Sequence, residues 1–195
     1  MNDFFLHICY AATISMISSV EILILSIIQG VSEFLPVSSA AHLVLVSSYY
    51  DFTSQSLLID ICLHLGSLMA IIFYFRKDLF DFIKNKNFLI KILIGSTPII
   101  PVGYVLYDTG WINYLRNLEV IGWTSLIFGI LLYLSDKVKD KKKIDNDFTN
   151  KSAFVIGLFQ ILALIPGVSR SGITITSGRF MGFSRFDSAK ISYYL

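Results

Sequence analysis

Apolar residues fall in long runs along this chain, and short polar stretches separate the runs instead of alternating with them. Residues 4–28 are almost continuously apolar, interrupted by Glu21 and a few serines, and they lead into a polar stretch at residues 29–42. Further apolar runs cover residues 57–75, 88–107, 120–134 and 153–166. Several approach the roughly 20 apolar residues that cross a bilayer as a helix, so the pattern predicts membrane helices joined by polar segments. Gly95, Pro98 and Pro101 predict a kink or interruption in the third run. Ser184, with Asp187 three positions on, reads as a capping box that opens a last helix.

Composition agrees with lipid as the solvent. Of 195 residues, 54% are hydrophobic and 15% charged, where a soluble domain carries about 25% charged residues. There is too little polar surface to cover a water-soluble globule, which excludes a soluble domain, a disordered chain and a nucleic-acid binder. The fold class expected is therefore all-α, a polytopic membrane protein. No Lys or Arg precedes Arg76, so a secretory signal with a basic leader region is not present. Cys9 and Cys62 both lie in apolar runs, and are expected to be buried small hydrophobes with no disulfide or metal-thiolate role.

Net charge is only +2, and the placement of the basic residues says more than their sum. Arg76, Lys77, Lys84 and Lys86 follow the second run, and Lys137, Lys139, Lys141, Lys142, Lys143 and Lys151 follow the fourth. Both loops read as cytoplasmic by the positive-inside bias, while residues 108–119, with Arg116 alone, read as outside. Tyr107, Trp111 and Tyr114 of that outer segment fit an interfacial aromatic belt. Traced backward, residues 20–50 form a hairpin that enters and leaves by the outer face, with its break at Leu35-Pro36. Traced forward, residues 153–166 climb about 21 Å at 1.5 Å per residue. Ser169, Arg170 and Ser171 are then left inside the membrane zone, nearer the outer face.

The two polar clusters echo each other. Gln29 stands nine residues before Ser38, and Gln160 stands nine before Ser169, with a proline between in both cases. Duplicated membrane units with matching breaks point to discontinuous helices that meet at a site. Lipid tolerates broken backbone only where protein buries it or water wets it. A helix that restarts after Pro36 or Gly167 therefore offers unpaired N–H groups, and the positive end of its dipole, to an anion such as phosphate.

Around the first break, Gln29 and Glu33 share a helical face by i, i+4 spacing, and Ser38 and Ser39 reach His42 at i+4 and i+3. Ionisable groups in membrane segments are costly and mark functional sites, which singles out Glu33 and His42. Arg170 follows a Pro-Gly break between two serines, and its planar fork suits bidentate phosphate recognition. Asp60 and His64 share a helix face and read equally as an interhelical hydrogen-bonded pair or as ligands. His7 is expected to be idle.

The stretch Gln29-Gly-Val-Ser-Glu33-Phe-Leu-Pro-Val-Ser38-Ser39-Ala-Ala-His42, together with Pro166-Gly-Val-Ser169-Arg170-Ser171-Gly-Ile-Thr174, resembles the undecaprenyl-diphosphate phosphatases, the bacitracin-resistance family. The stretches around His64 and residues 75–79 resemble it too, so the likeness runs from about Met16 to Leu195. It implies a multi-pass hydrolase of the bacterial inner membrane that returns undecaprenyl diphosphate to the monophosphate carrier, supports cell-wall synthesis and confers bacitracin resistance. It also implies inverted repeats with re-entrant helix hairpins, a divalent cation (Mg²⁺ or Ca²⁺) and a site that opens outward.

By the same resemblance, Gln29 and Glu33 take part in catalysis or metal binding, Ser39 and His42 are nucleophile and base, and Arg170 binds phosphate. Ser38, Ser169, Ser171 and Thr174 complete the substrate contacts. A metal-bound water is the alternative nucleophile. Expected partners are a prenyl diphosphate lipid and the bilayer, with a second copy of the chain as a candidate and no nucleic acid. Residues 1–15 read as an N-terminal extension and 16–195 as one membrane domain, with a first repeat at about 16–107 and an incomplete second at about 120–195. Family members continue for several more helices, so a C-terminally truncated, inactive fragment is one competing reading. A transporter or flippase for an anionic lipid is another.

Overall fold

The computed structural model describes residues 19–52, 56–74, 76 and 86–195. The expectations placed on residues 1–15, on His7 and Cys9, and on Lys77 and Lys84 lie outside the described residues. Those described are helical, with one isolated parallel bridge between Lys142 and Phe183. In chain order the helices are α1 (Ser19–Ser32), α2 (Ser39–Tyr49), α3 (Leu57–Tyr74), α4 (Lys86–Ser96), α5 (Ile99–Asp108), α6 (Trp111–Leu115), α7 (Leu118–Asp136), α8 (Ile144–Asp147) and α9 (Asn150–Gln160). A 3₁₀ turn (Ile161–Leu164), α10 (Arg170–Phe180) and α11 (Arg185–Tyr194) complete the chain.

Three stretches are long and apolar enough to cross a bilayer: α3, the α4–α5 pair and α7. Their surfaces are inverted relative to a soluble bundle. On α3 only Asp60 is buried, while Leu65, Leu68, Met69 and Phe73 are exposed. Gln29, Ser39, Asp60, Thr174 and Arg179 are instead buried inside. Where the surroundings are hydrocarbon, apolar side chains gain nothing by hiding and polar ones must find partners. The chain is an all-α polytopic membrane protein. For the same reason Cys62 is not buried as expected: it is a free, exposed thiol on the apolar outer face of α3.

The break expected in the third run falls at Thr97-Pro98, between α4 and α5. Pro98 has no N–H to continue the ladder. Gln160 fills part of the gap by donating its amide to the Gly95 carbonyl at 3.2 Å. Gly157 packs directly against the Gly95 backbone, where no Cβ would fit, which brings α9 flush with α4. The expected start is capped at Ser184, whose hydroxyl accepts the Asp187 N–H at 3.0 Å.

Two units position the site. In the first, α1 and α2 pack together through an elbow at residues 33–38. At 14 and 11 residues these helices measure about 21 and 16 Å, short of the roughly 30 Å hydrocarbon core. In the second, α9 and the 3₁₀ turn lead through an elbow at residues 165–169 into α10, which packs on α7, α9 and α11. The α7 helix holds this elbow in place, with the Thr124 hydroxyl donating to the Pro166 carbonyl at 2.6 Å and Ser125 to that of Gly167 at 3.3 Å. Thr124 is six residues into α7, so the elbow sits about 9 Å along the helix from its Leu118 end.

At the opposite end of α7, Arg179 is 3% exposed and ties the following loop to α10. It bonds the Asp140 carboxylate and the backbone carbonyls of Asp136, Val138 and Phe183. Arg185 adds a two-pronged contact to Asp136, 2.6 Å on each arm.

Candidate active site

The first elbow gathers its polar groups from the last turn of one short helix and the first turn of the next. Gln29 is 1% exposed and donates to Glu33 Oε2 at 2.9 Å, the pairing that i, i+4 spacing allows. After Glu33 the chain turns sharply, with Val37 N–H donating to the Leu35 carbonyl at 2.8 Å across Pro36. Ser38 then takes a left-handed conformation at φ 63°, which is costly for a residue with a Cβ. That twist delivers Ser39 to the head of α2, and its hydroxyl donates to Glu33 Oε2 at 2.5 Å. Glu33 Oε2 thus receives two donors, while Gln29 Oε1 is buried without a partner.

The second elbow is built mainly from backbone. Gly167 at φ 92° makes the turn that Pro166 begins. Ser169 caps α10, accepting the Gly172 N–H at 3.1 Å, and its oxygen lies 3.1 Å from Ser171 Oγ. Cap and helix start leave the leading N–H groups of α10 facing outward from its positive end. Arg170 is exposed and has no ion-pair partner among the described residues.

The two elbows meet. Ser171 donates to the Leu35 carbonyl at 3.4 Å and Tyr193 to that of Phe34 at 3.3 Å. Between them lies a cavity of about 190 Å³ whose polar lining includes Glu33, Ser38, Ser39, Ser169, Arg170 and Ser171. Six of the sequence-predicted site residues therefore share one chamber, with a carboxylate and hydroxyl on one wall and a guanidinium on the other.

Of the three other predicted residues, Gln29 does not line the cavity and is buried behind Glu33, to which it donates, and two stand elsewhere. His42 does not line the cavity; its Nδ1–H donates to the Ser38 carbonyl at 2.9 Å, the residue one helical turn back. Thr174 is fully buried and turned away. It bonds the Arg170 and Ser171 carbonyls at 2.9 and 3.0 Å and Ser192 Oγ at 2.7 Å, in the interface between α10 and α11.

The imidazole that does line the cavity is His64, from α3. Its Nε2 is 3.4 Å from both Ser39 Oγ and Glu33 Oε2, and its Nδ1–H donates to the Asp60 carbonyl at 2.7 Å. Asp60 is 3% exposed and paired with Arg116 at 2.5 Å, so α3 is pinned to the segment ahead of α7. The sequence carried a signal for this, a histidine one turn after an aspartate in an apolar helix, but nothing in it tied that helix to Ser39.

Comparison with known proteins adds an independent line. Residues 22–195 match the family model described as bacitracin resistance protein BacA. An undecaprenyl-diphosphatase from Pelagibacter ubique is 58% identical over 177 residues, covering 90% of this chain and 69% of the relative. Proteins of the same name from Dinoroseobacter shibae and Campylobacter curvus are 41% and 42% identical, over 88% and 90% of this chain and 69% and 71% of their own lengths.

Proposed function

The chain belongs to the bacitracin resistance protein BacA family, and from that premise we propose that it hydrolyses undecaprenyl diphosphate to the monophosphate and inorganic phosphate. This would recycle the lipid carrier for cell-wall synthesis and confer bacitracin resistance. The observation that carries the reading is the shared cavity, in which Arg170 and the start of α10 face Ser39 and Glu33.

Phosphoryl transfer asks a protein mainly for positioning and neutralisation of charge. Arg170 supplies a two-pronged cation for the terminal phosphate, and the N-terminus of α10 with Ser169 and Ser171 supplies N–H and hydroxyl donors. Ser38 borders the same space. Ser39 Oγ, held by Glu33, attacks the terminal phosphorus; the bond to the bridging oxygen breaks and the lipid monophosphate leaves. Water then hydrolyses the phosphoserine, and Ser39 is restored.

A divalent cation is part of this reading. Glu33 would offer a carboxylate and Gln29, with its amide turned over, the oxygen that is buried without a partner; among the described residues no group of three or more His, Cys, Asp or Glu could hold a metal ion by itself. Such a sparse, all-oxygen set suits Mg²⁺, or Ca²⁺, completed by substrate phosphates and water. Bound there, the ion would neutralise charge on the diphosphate.

The placement we infer is the plasma membrane, with the cavity opening outward, because the lysine-rich loop after α7 lies at the far end of that helix from the elbows. The two elbowed units are read as inverted repeats of a single membrane domain. In detergent, the purified chain is expected to release inorganic phosphate from a prenyl diphosphate, and EDTA to suppress the release. A folded Arg170→Ala protein with near-normal turnover would remove the reading. Lipid binding by the wild type without phosphate release would point to transport instead.

A further inference from the structure

We propose that His64, carried by α3, is the base that takes the proton from Ser39 as it attacks phosphorus; the assignment rests on the phosphatase reading above. A carbonyl oxygen accepts hydrogen bonds and cannot donate them, so the 2.7 Å contact with the Asp60 carbonyl requires the proton of a neutral His64 on Nδ1. The lone pair is thereby left on Nε2, the nitrogen 3.4 Å from Ser39 Oγ. A nucleophile, a base and a group that orients the base are then present in sequence, the third being a main-chain carbonyl. That carbonyl is itself held still, since the Asp60 carboxylate is buried and clamped by Arg116. The 3.4 Å separation suits a resting site, because such contacts tighten when substrate is bound.

Two rivals are present. Glu33 is nearer to Ser39 and takes its hydroxyl hydrogen at rest, and the same Oε2 also receives Gln29. In the proposed step Glu33 holds the hydroxyl at rest, and as the attack begins the hydroxyl turns its single hydrogen from Glu33 Oε2 to His64 Nε2, which removes it. His42 has its Nδ1 bound to the Ser38 carbonyl and no hydrogen bond to Ser39, and it does not line the cavity.

The step balances. As the Ser39 Oγ–P bond forms, the proton moves to His64 Nε2 and the bond from phosphorus to the bridging oxygen breaks. The imidazolium hands that proton to the departing lipid phosphate. In the second half, water attacks the phosphoserine, gives a proton to His64, and His64 returns it to Ser39 Oγ as that bond breaks.

Two measurements test this on the full chain in detergent. His64→Gln is expected to lower kcat for phosphate release by about 10²–10⁴-fold, with KM changed by no more than a few-fold and the unfolding midpoint near that of the wild type. Turnover within tenfold of wild type overturns the assignment. The second is independent of lipid hydrolysis: Ser39→Cys puts a thiol at the nucleophile's position, and its alkylation by iodoacetamide is followed by peptide mapping, because Cys62 is also exposed. Replacing His64 by Gln, or by Asn as a second variant, in that background is expected to slow alkylation at residue 39 at least tenfold, and an unchanged rate in a folded variant of either kind overturns the proposal. If Ser39→Ala and Arg170→Ala abolish phosphate release while His64→Gln does not, only the base is misassigned. If neither abolishes it, the phosphatase reading of the cavity fails, and the alkylation rates still decide whether His64 serves residue 39.

Discussion

The two elbows look alike in sequence, yet they are built by opposite means. In the first, Phe34, Leu35 and Val37 are exposed, and the left-handed position is held by Ser38, a residue with a side chain. In the second, the left-handed residue is Gly167, two places earlier in the shared register, Val168 is 4% exposed, and α7 grips the turn through Thr124 and Ser125. The first elbow presents reactive side chains on a thinly packed bend, and the second presents a helix start on a rigid frame. A nucleophile has to move by a bond length during reaction, whereas an anion cradle works best if it does not move at all. The glutamines make the same point. Gln29 points at Glu33, beside the proposed nucleophile, while Gln160 donates to the Gly95 carbonyl and serves the scaffold.

If the second elbow is the anion cradle, its guanidinium should carry the largest effect in the molecule. Arg170→Ala is expected to cost about 10³-fold in kcat for phosphate release, in the range seen when a single charge-neutralising arginine is lost. Arg170→Lys keeps the charge but loses the fork, so an intermediate loss is expected. Equal activity of the Lys variant and the wild type would show that charge alone is used.

The frame comes next. A Cβ on Gly167 would overlap Thr124 Oγ1 and the Ile121 backbone, at a φ of 92° that already disfavours L side chains. Gly167→Ala is expected to cost about 3 kcal/mol, combining left-handed strain with overpacking. The unfolding midpoint in detergent measures it. A fall of less than about 1 kcal/mol would mean that the second elbow is as pliable as the first.

How much of this was legible beforehand follows from the range of the interactions. Apolar runs gave the spanning helices to within a few residues, Pro98 gave the break in the third, and Ser184 gave the start of α11. Those are local signals. The cavity was also foreseeable, because both elbows carry their own breaks and serines. What failed was the direction of side chains within a helix. His42 and Thr174 each reach the carbonyl four residues back, Ser38 and Arg170, a bond that spacing does not distinguish from an inward-facing role. His64 was out of reach for a different reason, since it meets Ser39 across two helices, and only the packing of α1 against α3 brings them together. The buried Asp60–Arg116 pair and the Arg179 network are long-range in the same way.

A smaller effect separates capping from chemistry. Ser169 Oγ accepts the Gly172 N–H and also borders the cavity. Ser169→Ala removes the cap and is expected to cost about 1 kcal/mol of stability. Ser169→Asp keeps a capping oxygen but puts a negative charge beside the phosphate position. If both variants lose turnover but only the Ala variant loses stability, the residue has two separable duties.

The smallest effect is at Ser38, and it asks whether the first elbow stores strain. Left-handed backbone costs an ordinary residue about 1–2 kcal/mol, and glycine escapes that cost but gives up about 0.5–1 kcal/mol through its freer unfolded chain. Ser38→Gly is therefore expected to raise stability slightly, by about 0.5 kcal/mol, the opposite sign to Gly167→Ala. Ser38→Val, with a branched Cβ at φ 63°, is expected to lower it by more than 1 kcal/mol. Turnover gives the second reading. If strain at residue 38 serves to press Ser39 against Glu33, Ser38→Gly gains stability and loses activity together. If stability rises and turnover holds, the twist is merely tolerated, and the difference between the elbows lies in their packing against α7 rather than in their backbones.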